Sequence, residues 1–389
     1  MILIITDSIP TPSFKRSGIF GYDDFKFFAE NEYDVKMIIL FRITYERRFL
    51  FDLKNQVNLI RNQIKEIKGL IAKNPNIEFI HYFSLIKPFV FKEDLFLFKK
   101  SKFNNQPFDL IIVHSMLHTG LNISWIRKQF PVSKIVLKEH SNWLLYPELV
   151  KYFAMKYINK FDKILANSES SKQSFQKIFT DYKNHIKNPL PIIEIDYPKF
   201  SINTKKIIKT KSDCLQILTV ANLLKEKGFE ESFNILKVLE EAKVEWFWTI
   251  IGKGIFFNKI IQLASDFNLL QKILILPEIQ KPYIFDYMKK SDIYLQLSYT
   301  ETFGIAPIEA FSYYNKLIVS EHIISIKELG LATNKNILII KDINNILSQK
   351  EYIINFIYEK EFEDDFDKIL TELNTKINKV NIFKYILNF

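Results

Sequence analysis

The chain has 389 residues, with 54 lysines and arginines against 44 aspartates and glutamates, and a formal net charge of +10. This length predicts two domains, and 48% hydrophobic with 25% charged residues is typical of a globular protein. The one cysteine excludes an internal disulfide and favours a reducing compartment. The first residues do not have the pattern of a signal peptide, and no apolar run reaches the ~18 residues of a membrane span. We therefore expect a cytoplasmic protein.

The excess of positive charge leaves three interpretations open: solvated lysines, attraction to an anionic membrane surface, or nucleic-acid binding. The sequence has no zinc-finger spacing, basic zipper or aromatic RNA-binding signature, so we expect no nucleic-acid partner. Arginines and aromatic residues concentrate in 41–51. This patch favours contact with membrane headgroups about as much as it favours an ordinary amphipathic helix. Peripheral association with the inner face of the cytoplasmic membrane is therefore one expectation.

In the first half of the chain, short apolar runs alternate with helical patterns, which predicts parallel strands joined by helical crossovers. The predicted strands are 2–6, 35–40, 77–82, 108–114, 134–138 and 163–167, the last of which is expected to end this half. Helical patterns are strongest at 21–30 and in the basic stretch 46–73.

The second half repeats this plan. Its predicted strands are 215–221, 245–252, 272–276, 292–297 and 316–320, and its predicted helices include 230–241, 256–267 and 283–290, with a helical region at the end. The polar, lysine-rich stretch 201–213 is the predicted linker between a first domain, 1–200, and a second, 214–370. Residues 371–389 are expected to form a helix that packs back on the first domain. The predicted fold class is α/β, with two doubly wound Rossmann-like domains facing each other across a cleft.

The most informative segment of the chain runs from Glu301 to Glu309, with the sequence E-T-F-G-I-A-P-I-E. It follows a predicted buried strand and leads into a helix, so both carboxylates belong to a strand-to-helix turn. The N-terminus of a helix suits a phosphate, and Gly304 allows the backbone to approach such a ligand closely. Carboxylates accept hydrogen bonds from sugar hydroxyls. Together these features predict a nucleotide-sugar site.

This segment resembles the E-x7-E motif of the retaining glycosyltransferases of family 4, which have the type-B glycosyltransferase fold. Other stretches match the family in its order: the phosphate-binding strand and loop at 220–228, the glycine pair at 250–254 and the first N-terminal loop at 17–20. The resemblance covers nearly the whole chain and is most specific over 217–321. It implies transfer of a sugar from a nucleotide-diphosphate donor with retention of configuration.

The resemblance also implies roles for individual residues. Lys227 and Asn222 would bind the diphosphate of the donor, although the family has an arginine at the position of Asn222. Glu309 would bind the ribose, and Glu301 would contact the transferred sugar. The other implied donor-binding residues are Gly18, Gly252, Phe303, Gly304 and Ile305.

His140 follows a predicted strand of the first domain and matches a family histidine that faces the donor sugar. We expect it to take part in catalysis together with Glu301 and Lys227. His114 and His118 follow the preceding strand and are candidates for the acceptor side. Because lysine and helix N-termini neutralise the leaving diphosphate in this fold, we expect no bound metal and no cofactor. The expected donor is a UDP- or GDP-sugar.

The expected function is therefore a metal-independent, retaining glycosyltransferase with a saccharide or lipid-linked acceptor, in surface polysaccharide or lipopolysaccharide assembly. Two alternatives stay open. Asn222 motivates the first, a catalytically weak nucleotide-sugar-binding partner of another transferase. The second is a different enzyme on the same fold, such as a sugar-nucleotide epimerase, which would convert the donor without an acceptor, or a phosphorylase.

Overall fold

The protein was analysed as a computed structural model, which describes residues 1–9, 11, 19–44, 53–72, 74–84, 101–104, 106–141, 143–182, 191–198, 200–207, 213–359 and 366–378. The chain divides into two compact units, and the division falls between Tyr197 and Pro198. Within the described residues, no helix combines the length and the apolar character that crossing a membrane requires.

The first unit is built on a seven-stranded parallel sheet in the order β3-β2-β1-β4-β5-β6-β7. Its strands are β1 (Ile2–Thr6), β2 (Val35–Thr44), β3 (Ile77–Ser84), β4 (Leu110–His114), β5 (Lys134–Glu139), β6 (Lys163–Ala166) and β7 (Ile192–Ile195). Its helices are α1 (Ile19–Glu30), α2 (Leu53–Ile71), α3 (Ile123–Gln129), α4 (Glu148–Ile158) and α5 (Glu169–Asp181), with short 3-10 or π turns at Ser115–Thr119, Gly120–Asn122 and Trp143–Leu145.

The central strands of this sheet are apolar on both faces. Every residue of β1 and β4 is buried, as expected for parallel strands that helices cover on either side. Trp125 and Trp143 are buried in the same core. Helix α5 begins where the Ser168 hydroxyl accepts a hydrogen bond from the backbone N–H of Ser171 at 3.0 Å.

The second unit contains a six-stranded parallel sheet in the order β10-β9-β8-β11-β12-β13. Its strands are β8 (Leu215–Val220), β9 (Trp246–Ile251), β10 (Ile273–Leu276), β11 (Ile293–Gln296), β12 (Lys316–Ser320) and β13 (Ile337–Ile340). Its helices are α6 (Phe229–Glu241), α7 (Phe257–Asp266), α8 (Lys281–Lys290), α9 (Ile305–Ser312), α10 (Ile324–Glu328), α11 (Lys350–Tyr358) and α12 (Phe366–Asn378), with 3-10 turns at Lys225–Lys227, Leu270–Lys272 and Ile346–Gln349. Trp246 and Trp248 are fully buried in its core, as their period-two spacing predicts.

The strand order reverses once in each sheet, between β1 and β4 in the first unit and between β8 and β11 in the second. In open α/β sheets, ligands bind at the carboxyl ends of the strands beside such a reversal. This topology confirms the predicted class of two doubly wound Rossmann-like sheets. In the second unit, the same rule predicts a ligand site at the loops that follow β8 and β11.

Two predictions about strands are wrong. Residues 163–167 do not end the first half, because β7 pairs with β6 beyond them. Strand β7 is a four-residue edge strand directly after Pro191, and 65% of Ile192 is exposed, so its apolar signal is weak. Strand β13 lies in the region predicted as helical, since a four-residue apolar run does not distinguish strand from helix.

Several predictions reach beyond the described residues. Strand β2 extends four residues past its predicted end, to Thr44, whereas 45–52 lie outside the described part of the chain. Of the expected C-terminal helix 371–389, residues 371–378 belong to α12, and the remainder is not described. The linker 201–213 is described only in part.

Candidate functional site

The loop after β8 places Lys227 at the carboxyl edge of the second sheet. This loop contains the 3-10 turn Lys225–Lys227 and ends at Gly228, where the positive φ of 71° precedes helix α6. A Cβ atom at Gly228 would lie 1.9 Å from the carbonyl oxygen of Leu297. Glycine is therefore required for this loop to pack against the chain that leaves β11.

Lys227 and Glu301, which are 74 positions apart in sequence, form an ion pair with 2.6 Å between Nζ and Oε1. Both side chains are largely buried, with 17% and 13% exposure. The same carboxylate oxygen accepts hydrogen bonds from Gln296 Nε2 at 2.7 Å and from Ser298 Oγ at 3.2 Å. The structure thus brings together two of the three residues predicted to act in catalysis, and it fixes the Glu301 carboxylate from several directions.

Behind Glu301, a buried polar chain extends into the sheet. The Tyr294 hydroxyl lies 2.7 Å from Gln296 Oε1 and 3.0 Å from the carbonyl oxygen of Val220. Gln296 is 3% exposed and Tyr294 is fully buried. Burial without partners would be costly for these groups, and the chain of hydrogen bonds satisfies them. Gln296 therefore orients Glu301 from inside the core.

Helix α9 begins beside Glu301, and Gly304, with a φ of 90°, precedes its first residue, Ile305. The carbonyl oxygens of Phe303 and Gly304 accept hydrogen bonds from the backbone N–H and the hydroxyl of Ser325, at 2.7 and 2.8 Å. The Phe303 ring is buried against Phe200, with 6.1 Å between centroids. These contacts fix the turn, and the N–H groups of the first helical turn have no acceptor inside the helix.

Glu309 lies one turn further along α9 and is buried, with 6% exposure. Its Oε1 atom is 2.8 Å from Nζ of Lys281, the first residue of α8, whose side chain is 43% exposed. A buried carboxylate beside a partly exposed lysine can exchange this cation for hydrogen-bond donors of a ligand. Lys281 was not among the predicted site residues.

The glycines after β9 have a structural explanation. A Cβ atom at Gly252 would lie 1.9 Å from the carbonyl oxygen of Ala221, and one at Gly254 would lie 2.1 Å from that of Leu223. They allow close packing against the loop after β8, which contains Asn222. Asn222 is exposed. The donor-binding roles of Gly252 and Asn222 therefore stay predictions.

In the first unit, Lys138 of β5 lies in a buried ion cluster. Its Nζ atom is 2.8 Å from Oδ2 of Asp24 on α1 and 2.7 Å from Oδ2 of Asp196, which follows β7. All three side chains are at most 7% exposed. Burial alone would lower the pKa of Lys138, but the carboxylates of Asp196 and Asp24 outweigh it and raise this pKa above its ordinary value.

His140 adjoins this cluster. Its Nε2 atom is 3.2 Å from Nδ1 of His114, and the Phe20 ring stacks on it with 4.3 Å between centroids. Burial lowers the pKa of His140 well below its ordinary value, and the nearby His114 and Lys138 lower it further. The imidazole is therefore neutral at neutral pH.

Other first-unit candidates have different outcomes. His114, a candidate for the acceptor side, is buried, with 3% exposure. Gly18 and the side chain of His118 lie outside what the structure describes. Among the described residues, no group of three or more histidine, cysteine, aspartate or glutamate side chains is arranged to hold a metal ion.

Comparison with known proteins adds a family match. Residues 201–371, which contain every second-unit candidate described above, match the model of the glycosyl transferases group 1. A Haemophilus influenzae protein named as an uncharacterized glycosyltransferase is 26% identical over 185 residues, which are 46% of this chain and 48% of that protein. The alignment thus spans about half the length of this curated relative.

Two solved structures have a similar fold over nearly the whole chain. The lipopolysaccharide outer core galactosyltransferase WaaB, in its apo form, aligns with a TM-score of 0.66 at 17% identity and covers 99% of both chains. Anabaena HepE, in complex with UDP and glucose, aligns with a TM-score of 0.65 at 14% identity and covers 100% of this chain and 98% of its own.

Proposed function

The chain belongs to the family of glycosyl transferases group 1, and from this premise we propose that it transfers a sugar from a nucleotide-diphosphate donor to an acceptor hydroxyl. The observation that carries this proposal is the site at the carboxyl ends of β8 and β11. There Lys227 and Glu301 meet at 2.6 Å beside the N-terminus of α9. A lysine and helix N–H groups bind a diphosphate, and a fixed carboxylate binds sugar hydroxyls.

Each site residue has a role in this proposal. Lys227 and the N–H groups around Gly304 stabilise the charge that develops on the leaving diphosphate, and they need no metal for this. Glu309 exchanges its contact with Lys281 for the ribose hydroxyls. Glu301, held by its hydrogen bonds within the unit, orients the transferred sugar.

The finer parts of the proposal rest on the family resemblance. They are retention of configuration, a UDP- or GDP-sugar as donor, and a role for His140 at the transferred sugar. The complex of Anabaena HepE with UDP and glucose supports a UDP-linked donor. The fold similarity to a lipopolysaccharide galactosyltransferase supports a saccharide or lipid-linked acceptor in surface polysaccharide assembly. The net charge of +10 favours peripheral association with an anionic membrane.

Thermal unfolding with UDP, GDP and ADP tests the donor site. A nucleotide at 100 times its dissociation constant stabilises its protein by about 2.7 kcal/mol. Lys227→Ala removes a charge-assisted contact of about 1.5–3 kcal/mol, so it should weaken binding about 10- to 150-fold. Glu309→Gln should also weaken binding, through the ribose.

Lys272→Ala is the matched control, because Lys272 also contacts a glutamate, Glu240, at 2.6 Å. It directly precedes β10 and so lies at the amino ends of the strands, whereas the candidate site lies at their carboxyl ends. This variant should bind the nucleotide as tightly as the wild type. Stabilisation by no nucleotide at millimolar concentration, or equal weakening in the Lys227 and Lys272 variants, would reject the proposed site.

A second candidate function is a nucleotide-sugar-binding partner without activity of its own. The uncharged Asn222, where the family has an arginine, favours it. This alternative predicts nucleotide binding but no release of nucleotide with any acceptor. Release of nucleotide by the wild-type protein, measured with saccharide and lipid-linked acceptors, separates the two functions. Asn222→Arg then tests the stated cause, since turnover should rise above that of the wild type if the missing charge limits activity.

A further inference from the structure

Tyr299 fastens the chain that leaves β11 to the elements that follow β8. Its backbone N–H donates a hydrogen bond to the carbonyl oxygen of Glu226 at 2.8 Å. Its hydroxyl is 2.6 Å from Oε1 of Glu231 on α6 and 3.4 Å from Oδ1 of Asn344, which follows β13. A hydroxyl has one hydrogen, and the shorter distance assigns it to Glu231. Tyr299 thus binds two consecutive elements, the 3-10 turn Lys225–Lys227 and the first turn of α6.

The hydrogen bond between Tyr299 and Glu231 is present at neutral pH. Partial burial and this bond to Glu231 raise the pKa of Tyr299 to about 12, so the phenol keeps its proton and donates it. Hydrogen bonds to a charged group are about twice as strong as those between neutral groups. Because 38% of Tyr299 is exposed, Tyr299→Phe removes this bond without leaving a cavity in the core.

These contacts flank the ion pair of the candidate site. Glu226 directly precedes Lys227 in the chain, and Tyr299 lies two residues before Glu301. The 2.6 Å contact between Lys227 and Glu301 joins the same two segments. A diphosphate that takes the lysine ammonium group breaks this ion pair. Neither the bond of Tyr299 to Glu226 nor its bond to Glu231 involves the Lys227 side chain, so both bonds can persist.

We propose that Tyr299 is a positioning residue, which holds the segment 298–303 beside the turn Lys225–Lys227 once Lys227 has moved to the diphosphate. Tyr299 acts through the Glu301 carboxylate of this segment and need not touch the donor. It should therefore affect how the transferred sugar is held, and not how tightly the nucleotide binds. The role in transfer rests on the proposed function, whereas the link between the ion pair and the contacts of Tyr299 rests on the second unit alone.

Hydrogen exchange measured by mass spectrometry tests this link in the protein without ligand. Lys227→Met removes the cation from Glu301, as a diphosphate would, and keeps most of the side-chain volume. In this background, Tyr299→Phe should speed exchange of the backbone amides of 298–303 by about 10-fold or more. In the wild-type background the effect should be much smaller, because the ion pair still holds the segment. An equal factor in the two backgrounds would overturn the proposal, and Lys227→Gln is the second background if the methionine variant does not fold.

Binding measurements test the consequence for the donor. The probes are UDP, GDP, UDP-glucose, UDP-N-acetylglucosamine and GDP-mannose, and the comparison uses a sugar compound that the wild type binds more tightly than the bare nucleotide. Tyr299→Phe should leave the dissociation constant of the nucleotide within about 2-fold of the wild-type value. It should weaken binding of the sugar compound about 10-fold. Equal losses for both would show that Tyr299 acts on the phosphate-binding turn and not through Glu301. If no sugar compound binds more tightly than its nucleotide, the exchange experiment alone decides.

Tyr182→Phe is the matched control, because the Tyr182 hydroxyl of the first unit also lies 2.5 Å from a glutamate, Glu148, and this bond likewise raises its pKa to about 12. This control should change neither the exchange of 298–303 nor the binding of any probe. Glu231→Ala should reproduce Tyr299→Phe, whereas Glu231→Gln, which keeps an acceptor oxygen, should stay closer to the wild type. A Glu231→Ala protein that behaves as the wild type would overturn the assigned contact.

The two proposals fail separately. If no nucleotide binds but exchange responds as expected, the proposed function is rejected and the link between the ion pair and Tyr299 stands. If a nucleotide binds but Tyr299→Phe acts equally in the two backgrounds, only the role of Tyr299 is rejected.

Discussion

The ion cluster around Lys138 makes a strong prediction about the stability of the first unit. Lys138→Met keeps most of the side-chain volume but leaves the carboxylates of Asp24 and Asp196 buried without their shared cation. Removing one partner from a buried ion pair costs about 3–5 kcal/mol. For a unit of this size, where 1 kcal/mol corresponds to roughly 2–4 °C, the melting temperature should fall by about 6–20 °C.

Urea unfolding followed by circular dichroism measures this loss, and only the transition of the first unit should move. Lys163→Met is the matched control, since Lys163 of the adjacent strand contacts Glu194 at 3.0 Å but in a more exposed pair. This control should cost at most about 1 kcal/mol. The triple variant Lys138→Met, Asp24→Asn, Asp196→Asn should recover much of the loss, because no buried charge is left unpaired.

The sign of the pH dependence follows from the raised pKa of Lys138. The contribution of the Lys138 ammonium group to the free energy of unfolding should be complete below about pH 10.4, the ordinary pKa of lysine. It should be lost only as the pH rises further. A cost of less than 1 kcal/mol for Lys138→Met, or a cost equal to that of the Lys163 control, would refute the reasoning that the cluster is tightly coupled and desolvated.

Three further predictions concern both units. Because the pKa of His140 is lowered, the free energy of unfolding should decrease as the pH is lowered from about 6.5, by up to about 1.4 kcal/mol per pH unit. If His140→Gln leaves this pH dependence of the unfolding free energy unchanged, the prediction is wrong. Gly252→Ala should destabilise the second unit by about 3 kcal/mol or more. Gly69→Ala is the control: a Cβ atom there has nothing within 4 Å, so it should stabilise the first unit by about 0.5–1 kcal/mol. If urea unfolding gives similar changes in stability for the two variants, Gly252 is not closely packed. Gln296→Leu should cost about 1.5–3 kcal/mol through the lost bond to Glu301, and a neutral effect on urea unfolding would show that this contact is not formed in solution.

Much of the fold was predictable from the sequence because parallel strands in a covered sheet are uniformly apolar. Strand β12 begins and ends where predicted, and the predicted fold class is confirmed. The exceptions are β7 and β13, at the outer edges of their sheets. Each has only four residues, and an edge strand needs less apolar surface, so its pattern is weaker than that of a central strand.

The candidate site was predictable only as a set of positions. The pairing of Lys227 with Glu301 depends on the reversal of strand order, which places β8 beside β11, and no local pattern contains this information. Gln296 did leave a signal, since a polar residue inside an apolar strand must find a buried partner. Lys138, in the buried strand β5, left the same signal, but its partners Asp24 and Asp196 lie far away in sequence.

The four tryptophans are divided equally between the cores of the two units, with Trp125 and Trp143 in the first and Trp246 and Trp248 in the second. Because all four are buried, their fluorescence should change when the surrounding core opens. Replacing the second-unit pair with phenylalanine leaves emission from the first unit alone. The intact chain thus contains an intrinsic optical reporter for each half, and the loss of structure in one half can be followed while the other stays folded.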